Sequence, residues 1–348
     1  MYILLAILIF GFLIFVHELG HFLSAKLLGV QVNEFAICMG PAIVQKTVGE
    51  TTYSLRCLPI GGYCAMEGED VKSENPRAFT SAKWWKRLII LCAGAFMNLL
   101  TGFLITLCVF LPSQQFATAQ IESVYEGSCL DELGILPGDI MYAIDGERIY
   151  SYPDVGLLLS RVEDGHCDLK IRRHGQILSF PNAVMEQREL MGEKLYGMRF
   201  ASQDATLPAI IRHSFYSCVD FARLVRLGLQ DLITGKVGLE DLGGPVSIVD
   251  TISQTGNAAS STAEGLADVF YLAAFIAINL AVMNMLPLPA LDGGRVFFLL
   301  VTVFIEKISR KKLNPKYEGY IHAAGMVILL AFMVLVTFRD VGRLLFGG

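Results

Sequence analysis

The chain has 348 residues, of which 53% are hydrophobic and 18% charged, and its mean hydropathy is +0.52. This balance excludes an ordinary soluble globular protein and favours a multi-span protein of the lipid bilayer. The net charge of −5, without basic clusters interleaved with aromatic residues, gives no support for nucleic-acid binding. Eight cysteines without a Cys-x-x-Cys pair favour isolated thiols over a disulfide framework.

Residues 1–28 are predicted to form the first transmembrane helix. No charged residue lies between positions 2 and 16, and apolar residues resume after His21. The run could be mistaken for a secretory signal, but it lacks a basic start and a small-x-small cleavage site. We therefore expect this helix to be retained.

A His-Glu-x-x-His pattern lies inside this apolar run. His17 and His21 are four residues apart, so on a helix they share one face and can bind one tetrahedral zinc ion (Zn²⁺). Glu18 lies beside them and can take a proton from water, the chemistry of peptide hydrolysis. The alternative, a core helix with two satisfied histidines, leaves Glu18 without a partner in an apolar run, where an ionisable group is costly.

Residues 29–87 are predicted to form a cytosolic loop that contains a β-hairpin. Glycine and proline interrupt short β-like runs, and Gly61 and Gly62 mark its most turn-like point. A plain surface loop is the alternative. Seven basic residues in a segment this short favour the cytosolic side. These residues are Lys46, Arg56, Lys72, Arg77, Lys83, Lys86 and Arg87.

Residues 88–111 are predicted to form the second transmembrane helix. The segment has 24 residues and no charge, which is long enough to cross the hydrocarbon core. Asn98 is its one strongly polar residue. An interhelical hydrogen bond explains Asn98 better than a catalytic role does.

Residues 112–202 are predicted to form one extracytoplasmic α+β domain. Alternating strand-like runs are separated by glycine-rich turns, with a hairpin turn at Asp145-Gly146 and a short helix at 153–161. Residues 127–140 and the following Asp-Gly pair resemble the PDZ domains of bacterial proteases. Such a domain either binds extended peptides at a sheet edge or acts as a cap that excludes large substrates.

The remaining chain is predicted to add an amphipathic region and two more spans. Residues 203–265 contain an amphipathic helix at 208–234 that is too charged to cross a membrane. Residues 266–288 form the third span, 289–319 a cytosolic loop, and 320–348 the fourth span with the C-terminus. Both basic loops then lie on the cytosolic side, as the positive-inside rule requires.

Several separated motifs resemble the site-2 protease family of intramembrane zinc metalloproteases, in its bacterial RseP-like branch. They are His-Glu-Leu-Gly-His at 17–21, Leu-Pro-Ile-Gly-Gly-Tyr at 58–63, Trp-Trp-Lys-Arg-Leu at 84–88, the PDZ-like insert, and Leu-Asp-Gly-Gly at 291–294. Their order and nearly full-length coverage are more specific than any one motif. Two departures are Ala95, where the family usually has proline, and room for one PDZ-like domain instead of two.

The resemblance implies specific roles for residues of this chain. His17, His21 and Asp292 would ligate zinc, and Glu18 would be the general base. Residues implied to hold the substrate are Asn284, Pro287 and Pro289. The alternative for Asp292, which follows two helix-ending prolines, is that it caps the next helix.

The resemblance also implies a location and a substrate class. The enzyme would be a multi-pass protein of the bacterial inner (cytoplasmic) membrane that cuts single-span proteins near the cytosolic side, such as anti-sigma factors or remnant signal peptides. A helical substrate must be unwound, and backbone at Gly61 and Gly62 could pair with it as a strand. Two other functions stay open from the sequence: a proton-coupled transporter using Glu18 and Asp292, and a non-catalytic PDZ scaffold.

Overall fold

Two units make up the chain in the computed structural model, which describes residues 1–69, 73–190, 193–238, 243–309 and 316–346. One unit comprises Met1–Val109 with Phe221–Gly348, and the other is Phe110–Asp220. In chain order the elements are α1 (Tyr2–Leu28), β1 (Val32–Val48), β2 (Thr51–Met66), a 3₁₀ turn (Phe79–Ser81), α2 (Trp84–Phe110), β3 (Gln115–Val124), α3 (Cys129–Glu132), β4 (Ile140–Ile144), β5 (Glu147–Arg148), α4 (Tyr152–Leu159), β6 (His166–Arg173), β7 (Gln176–Val184), β8 (Arg188–Leu190), β9 (Glu193–Leu195), β10 (Met198–Asp204), α5 (Leu207–Thr234), α6 (Pro245–Ala258), α7 (Thr262–Asn284), α8 (Asp292–Ser309) and α9 (Lys316–Phe346).

Four helices in the described part of the chain are long and apolar enough to cross a membrane: α1, α2, α7 and the Gly319–Gly342 part of α9. The shortest has 23 residues and is about 34 Å long, which exceeds a hydrocarbon core of about 30 Å. The protein is therefore a membrane protein, as its composition predicts. The third helix ends at Asn284, four residues before the predicted end, because Pro287 and Pro289 cannot continue it.

β1 and β2 pair antiparallel in the first unit, which confirms the predicted hairpin. The predicted position of the hairpin turn, at Gly61 and Gly62, is wrong. The chain reverses at Gly49 and Glu50, whereas Gly61 and Gly62 lie inside β2. Gly49 has a φ of 64°, a left-handed conformation that suits glycine in a tight turn.

Gly61 instead bends β2 within the strand. Its φ is 77°, and β1 has a matching positive-φ residue, Cys38, with a φ of 68°. Because of these bends, residues 34–37 pair with residues 52–55 on one side and with residues 62–65 on the other. In the described part of the chain, no further strand pairs with the outer side of residues 62–66, which we call the edge arm.

The segment predicted as the loop 289–319 is mostly helix, so this prediction is wrong over α8. The apolar run 296–305 is too short to cross a membrane and has charged residues at both ends. It folds as a helix because it packs against protein: Leu299 is buried together with Ala25, Ile90 and Val30. Four residues of the predicted basic loops lie outside the described residues: Lys72, Arg310, Lys311 and Lys312.

α6 was not predicted within the segment 203–265, although Pro245 in its first turn is a typical helix start. Its Ile252 is fully buried in a cluster with Leu13 of α1 and Val269 of α7. Burial of apolar side chains among three helices stabilises α6, although its own sequence is polar. The predicted amphipathic helix at 208–234 corresponds to α5.

The second unit contains a six-stranded antiparallel sheet. Its main path is β10-β3-β4-β6-β7, and β5 pairs with β4. Asp145 and Gly146 connect β4 to β5 with φ values of 47° and 80°, as in a type I′ turn, which confirms the predicted hairpin turn. The predicted short helix is α4, and its Val155 and Leu158 pack into the core with Leu169 and Ile171 of the sheet.

Candidate active site

Three side-chain atoms converge in the first unit. Oδ2 of Asp292 lies 3.1 Å from Nε2 of His17 and 3.2 Å from Nε2 of His21, and the two Nε2 atoms are 3.3 Å apart. Both histidines are buried. The structure therefore brings together residues that are 271 positions apart in the chain.

The histidine pair follows from the geometry of α1. One turn separates positions 17 and 21, so the two imidazoles project from the same face, with ring centroids 4.9 Å apart. The ring of His21 is oriented by Nδ1, which donates a 2.8 Å hydrogen bond to the carbonyl oxygen of Ile90. Because a carbonyl only accepts, this bond fixes a proton on Nδ1 and directs Nε2 toward His17 and Asp292.

Asn98 lies at the other ring. Its side-chain amide is 3.4 Å from Nδ1 of His17, and the residue is 1% exposed. Oδ1 of Asn98 is buried without a hydrogen-bond partner in the described part of the chain. A 180° rotation of the amide would place Oδ1 where Nδ1–H of His17 can donate to it. The prediction of an interhelical hydrogen bond fits this contact between α2 and α1.

Glycines on both helices allow α1 and α2 to pack closely against each other. A Cβ on Gly94 would lie 2.4 Å from Nε2 of His21 and 2.7 Å from Cε1 of His17. A Cβ on Gly20 would lie 2.4 Å from the carbonyl oxygen of Ala93. All three distances are shorter than real Cβ contacts, so α1 and α2 can pack this closely around the histidines only because positions 20 and 94 lack side chains. The sequence alone assigns no role to Gly94 or to the Ile90 carbonyl, since neither contributes a recognisable side chain.

A tight turn between α7 and α8 places Asp292 at the start of α8. A Cβ on Gly293 would lie 2.3 Å from the Met285 carbonyl oxygen, and one on Gly294 would lie 2.1 Å from that of Leu288. Ala290 has a φ of 76°, and its N–H donates to Nδ1 of His322 on α9. The glycine pair is thus required for the backbone approach that aims Asp292 at the histidines.

The charge state of Asp292 suits a ligand. Burial alone would raise the pKa of this carboxyl group, but hydrogen bonds with His17 and His21 outweigh it and hold the pKa below its usual range. The carboxylate is therefore anionic at neutral pH. Within the described part of the chain its hydrogen-bond partners are the two imidazoles, which favours the ligand role over the helix-cap alternative.

Glu18 lies between the histidines and the edge arm. It interacts electrostatically with His21, His17 and Asp292. A Cβ on Gly62 would lie 3.4 Å from Cγ of Glu18, so the start of the edge arm packs directly against this side chain. The structure therefore brings Glu18, the metal-binding candidates and an unpaired strand edge together.

Glu69 connects the edge arm to α8. Its carboxylate forms an ion pair with Arg295, three residues after Asp292. The same carboxylate accepts a hydrogen bond from the N–H of Met66, at the end of the edge arm, at 3.4 Å. This pair was not predicted, because no sequence pattern relates two charges 226 residues apart.

The predicted substrate-binding residues lie at different distances from the cluster of His17, His21 and Asp292. Asn284 is the last residue of α7, and its Nδ2 is 3.5 Å from Nε2 of His17. Pro287 is exposed on the turn before α8. Pro289 lies against α9, where a Cβ on Gly325 would be 2.3 Å from the proline Cβ. Gly61 is at the bend of β2, one residue before Gly62.

The donor set fits zinc. Two imidazole nitrogens and one carboxylate oxygen are ligands of catalytic zinc sites, which keep a fourth position open. Ligand bonds of about 2.0–2.1 Å at tetrahedral angles put donor atoms about 3.3 Å apart. The three distances of 3.1–3.3 Å among Asp292, His17 and His21 agree with that spacing.

Known proteins resemble the whole chain. The profile of peptidase family M50 matches residues 5–332. A Clostridium perfringens protein, named as a candidate zinc metalloprotease, is 36% identical over 98% of both chains. The regulator of sigma-W protease RasP of Bacillus subtilis is 28% identical over 97% of both chains, and the zinc metalloprotease RasP of Shouchella clausii is 27% identical over 97% of both.

These comparisons decide between the functions that the sequence left open. The matched family is a peptidase family, and the relatives are named as zinc metalloproteases, neither of which describes a transporter or a non-catalytic scaffold. The converging donor atoms and the apolar helices agree with an enzyme that works inside the membrane. The chain therefore belongs to peptidase family M50, the site-2 type of zinc metalloprotease.

Proposed function

We propose that His17, His21 and Asp292 hold the catalytic zinc ion and that Glu18 is the general base of an intramembrane endopeptidase. The observation that carries this assignment is the convergence of the three donor atoms at 3.1–3.3 Å. A zinc ion held by these three residues would supply the Lewis-acid chemistry that activates water and the scissile carbonyl. Glu18 takes the proton of the attacking water and delivers it to the leaving amine.

The residues around this centre have supporting roles in the proposal. Ile90 and Asn98 orient the imidazoles of His21 and His17, so each presents Nε2 to the metal. The amide of Asn284, 3.5 Å from Nε2 of His17, is placed to donate a hydrogen bond to a substrate carbonyl beside the metal. Pro287 and Pro289 shape the turn that this substrate passes.

In this proposal the edge arm replaces the backbone hydrogen bonds that a helical substrate loses when it unwinds. A scissile carbonyl inside a helix is already hydrogen-bonded, and opening that bond in lipid costs several kcal/mol unless another group replaces it. The edge arm starts at Gly62, against Glu18, and its outer side has no strand partner within the described ranges. An unwound substrate that pairs with this edge as a strand passes Glu18 and the metal centre.

Charge supports an orientation for this membrane protein. The short segments that follow α1 and α7 are rich in lysine and arginine, and such segments stay on the cytosolic side. In our proposal the protein is a multi-pass protein of the bacterial inner membrane, the β1–β2 hairpin is cytosolic, and the second unit is extracytoplasmic. Cleavage then occurs near the cytosolic side.

The second unit is proposed to be a PDZ-like filter for substrates. Its antiparallel sheet with the short helix α4 fits that resemblance. A cavity of about 390 Å³, lined by Tyr152, Val155, Leu159 and Tyr196, is large enough for an apolar side chain of a peptide. A domain with this role would admit trimmed ectodomains and exclude bulky ones.

The relatives and the site support a proposal for the substrate class. RasP of Bacillus subtilis is named as a regulator of sigma-W protease. We propose that this chain likewise cuts single-span proteins of the anti-sigma-factor class, with remnant signal peptides as further substrates. Both present one apolar segment that can unwind against the edge arm.

Two substitutions test the catalytic assignment. Glu18→Gln should retain zinc but lose cleavage of a single-span substrate by at least a hundredfold, since it removes a general base and no ligand. His17→Ala should lose both zinc and cleavage. Zinc content of the purified protein and cleavage in proteoliposomes are the measurements. Loss of zinc in Glu18→Gln, or wild-type turnover, would overturn the assignment.

A further inference from the structure

A basic cavity lies where the end of α1 meets the start of α2. Its volume is about 230 Å³, and the residues that line it include Leu28, Arg77, Lys83 and Lys86. Three of the described lining residues are basic, and none is acidic. The peptidase activity does not use this cavity, because its lining contains none of the residues of the zinc site.

The three cations differ in how they are held. Nζ of Lys86 donates to the Leu28 carbonyl oxygen at 2.8 Å, which ties α2 to the end of α1. Arg77 forms an ion pair with Glu50 at 2.6 Å, so its charge is partly compensated. Lys83 is exposed, and within the described ranges no ion pair or side-chain hydrogen bond holds its ammonium group. The cavity therefore keeps excess positive charge.

The surroundings of the cavity point to lipid. Trp84 and Trp85 are 48% and 40% exposed, and Leu27 is 85% exposed. Tryptophan is enriched where a membrane helix passes from hydrocarbon to headgroups. Leu27, near the end of α1, adds an exposed apolar side chain beside the cavity-lining Leu28. A pocket with excess positive charge at this depth fits the phosphate of an anionic lipid, as basic pockets between transmembrane helices do.

We propose that this cavity binds the phosphate headgroup of an anionic phospholipid. The headgroup phosphate pairs with Lys83 and Lys86, and the acyl chains lie along Leu27 and the two tryptophans. This lipid connects the helix that carries His17 and His21 to the helix that carries Gly94. The site goes beyond the proposed peptidase function and does not depend on it.

The two tryptophans are the only ones in the chain, so intrinsic fluorescence reports on this site without a label. The full-length protein is placed in neutral detergent and titrated with phosphatidylglycerol carrying brominated acyl chains, which quench tryptophan on contact. Brominated phosphatidylcholine tests the need for negative charge. Competition by inorganic phosphate separates a lipid site from a site for the free anion.

Lys83→Gln is the informative variant, because Lys83 has no ion pair or side-chain hydrogen bond to lose in the described part of the chain. We expect it to weaken phosphatidylglycerol binding about fivefold, and Lys83→Glu to weaken it further. Lys46→Gln is the matched control, since it removes an exposed lysine on the β1–β2 hairpin, and it should bind like wild type. Equal quenching by both lipids, equal effects of Lys83→Gln and Lys46→Gln, or displacement of the lipid by millimolar phosphate would overturn the proposal.

Discussion

Gly94 lies against the imidazole of His21, so closely that a Cβ at position 94 would be 2.4 Å from Nε2. We expect Gly94→Ala to displace the ring of His21 or that of His17, because the backbone of α2 cannot withdraw without breaking the hydrogen bond from His21 to Ile90. Zinc affinity should fall at least tenfold, with a parallel loss of cleavage. Metal content and proteoliposome cleavage measure the two effects.

Gly11→Ala is the control for this substitution. Gly11 is also in a transmembrane helix, but a Cβ there would have nothing within 4 Å. It should keep zinc and activity while changing helix propensity in the same way. If Gly94→Ala bound zinc and cleaved like Gly11→Ala, the close approach of α2 would not matter for the site.

Asp292→Asn separates a metal ligand from a helix cap. A ligand role predicts that zinc affinity falls at least tenfold and that cleavage falls with it. A cap role predicts a stability loss of about 1 kcal/mol with the metal retained. Glu264→Gln is the matched control, because Glu264 is in the first turn of α7 and accepts a hydrogen bond from the Ser260 N–H. Zinc titration and thermal unfolding of both variants distinguish the two roles.

The sequence predicts the site residues that lie on one helix, but not the backbone groups that distant parts of the chain contribute to the site. His17, Glu18 and His21 could be read directly, because one helical turn fixes their relation. Asp292 needed the family resemblance, since spacing alone cannot relate residues 271 positions apart. The roles of the Ile90 carbonyl and Gly94 cannot be predicted from the sequence, because a carbonyl is present in every residue and a required absence of a side chain leaves no chemical pattern.

Two parts of the predicted fold differ from the structure: the position of the hairpin turn and the segment that forms α8. A Gly-Gly pair is typical of a turn, but Gly61 uses its positive φ to bend β2 within the strand, and the actual reversal is at Gly49. α8 was read as loop because its apolar run is too short for a span. Only the tertiary burial of Leu299 shows why it is helical.

The Glu69–Arg295 ion pair is expected to position the edge arm relative to the metal. Glu69→Arg should raise the KM of a single-span substrate several-fold and leave zinc bound, because the strand edge loses its link to α8. Adding Arg295→Glu should restore KM by re-forming the pair with reversed charges. The control is Glu122→Arg with Arg199→Glu, an exposed ion pair between β3 and β10 that does not line the cavity of the second unit and should leave KM unchanged. Failure of the double reversal to rescue KM would remove the positioning role.

The Asp139–Arg173 pair makes the stability of the second unit depend on pH. Asp139 is 2% exposed and accepts two hydrogen bonds from Arg173, at 2.8 and 2.7 Å, and one from the Leu136 N–H at 2.8 Å. Burial alone would raise the pKa of this carboxyl group, but these donors outweigh it and hold the pKa below its usual value. The ordinary aspartate pKa in the unfolded chain is about 3.9.

A folded-state pKa below the unfolded one means that folding stabilises the carboxylate. This contribution is fully present above pH 4 to 5 and is lost as the pH falls through the folded-state pKa of Asp139. Asp139→Asn should cost about 1–3 kcal/mol at pH 7 and less at pH 3, because pH 3 lies below the pKa of the unfolded carboxyl group and the wild type has lost part of this contribution there. Hydrogen exchange of β4 amides in the full-length protein measures the difference. A cost for Asp139→Asn that does not change between pH 7 and pH 3 would contradict the charged pair as its source.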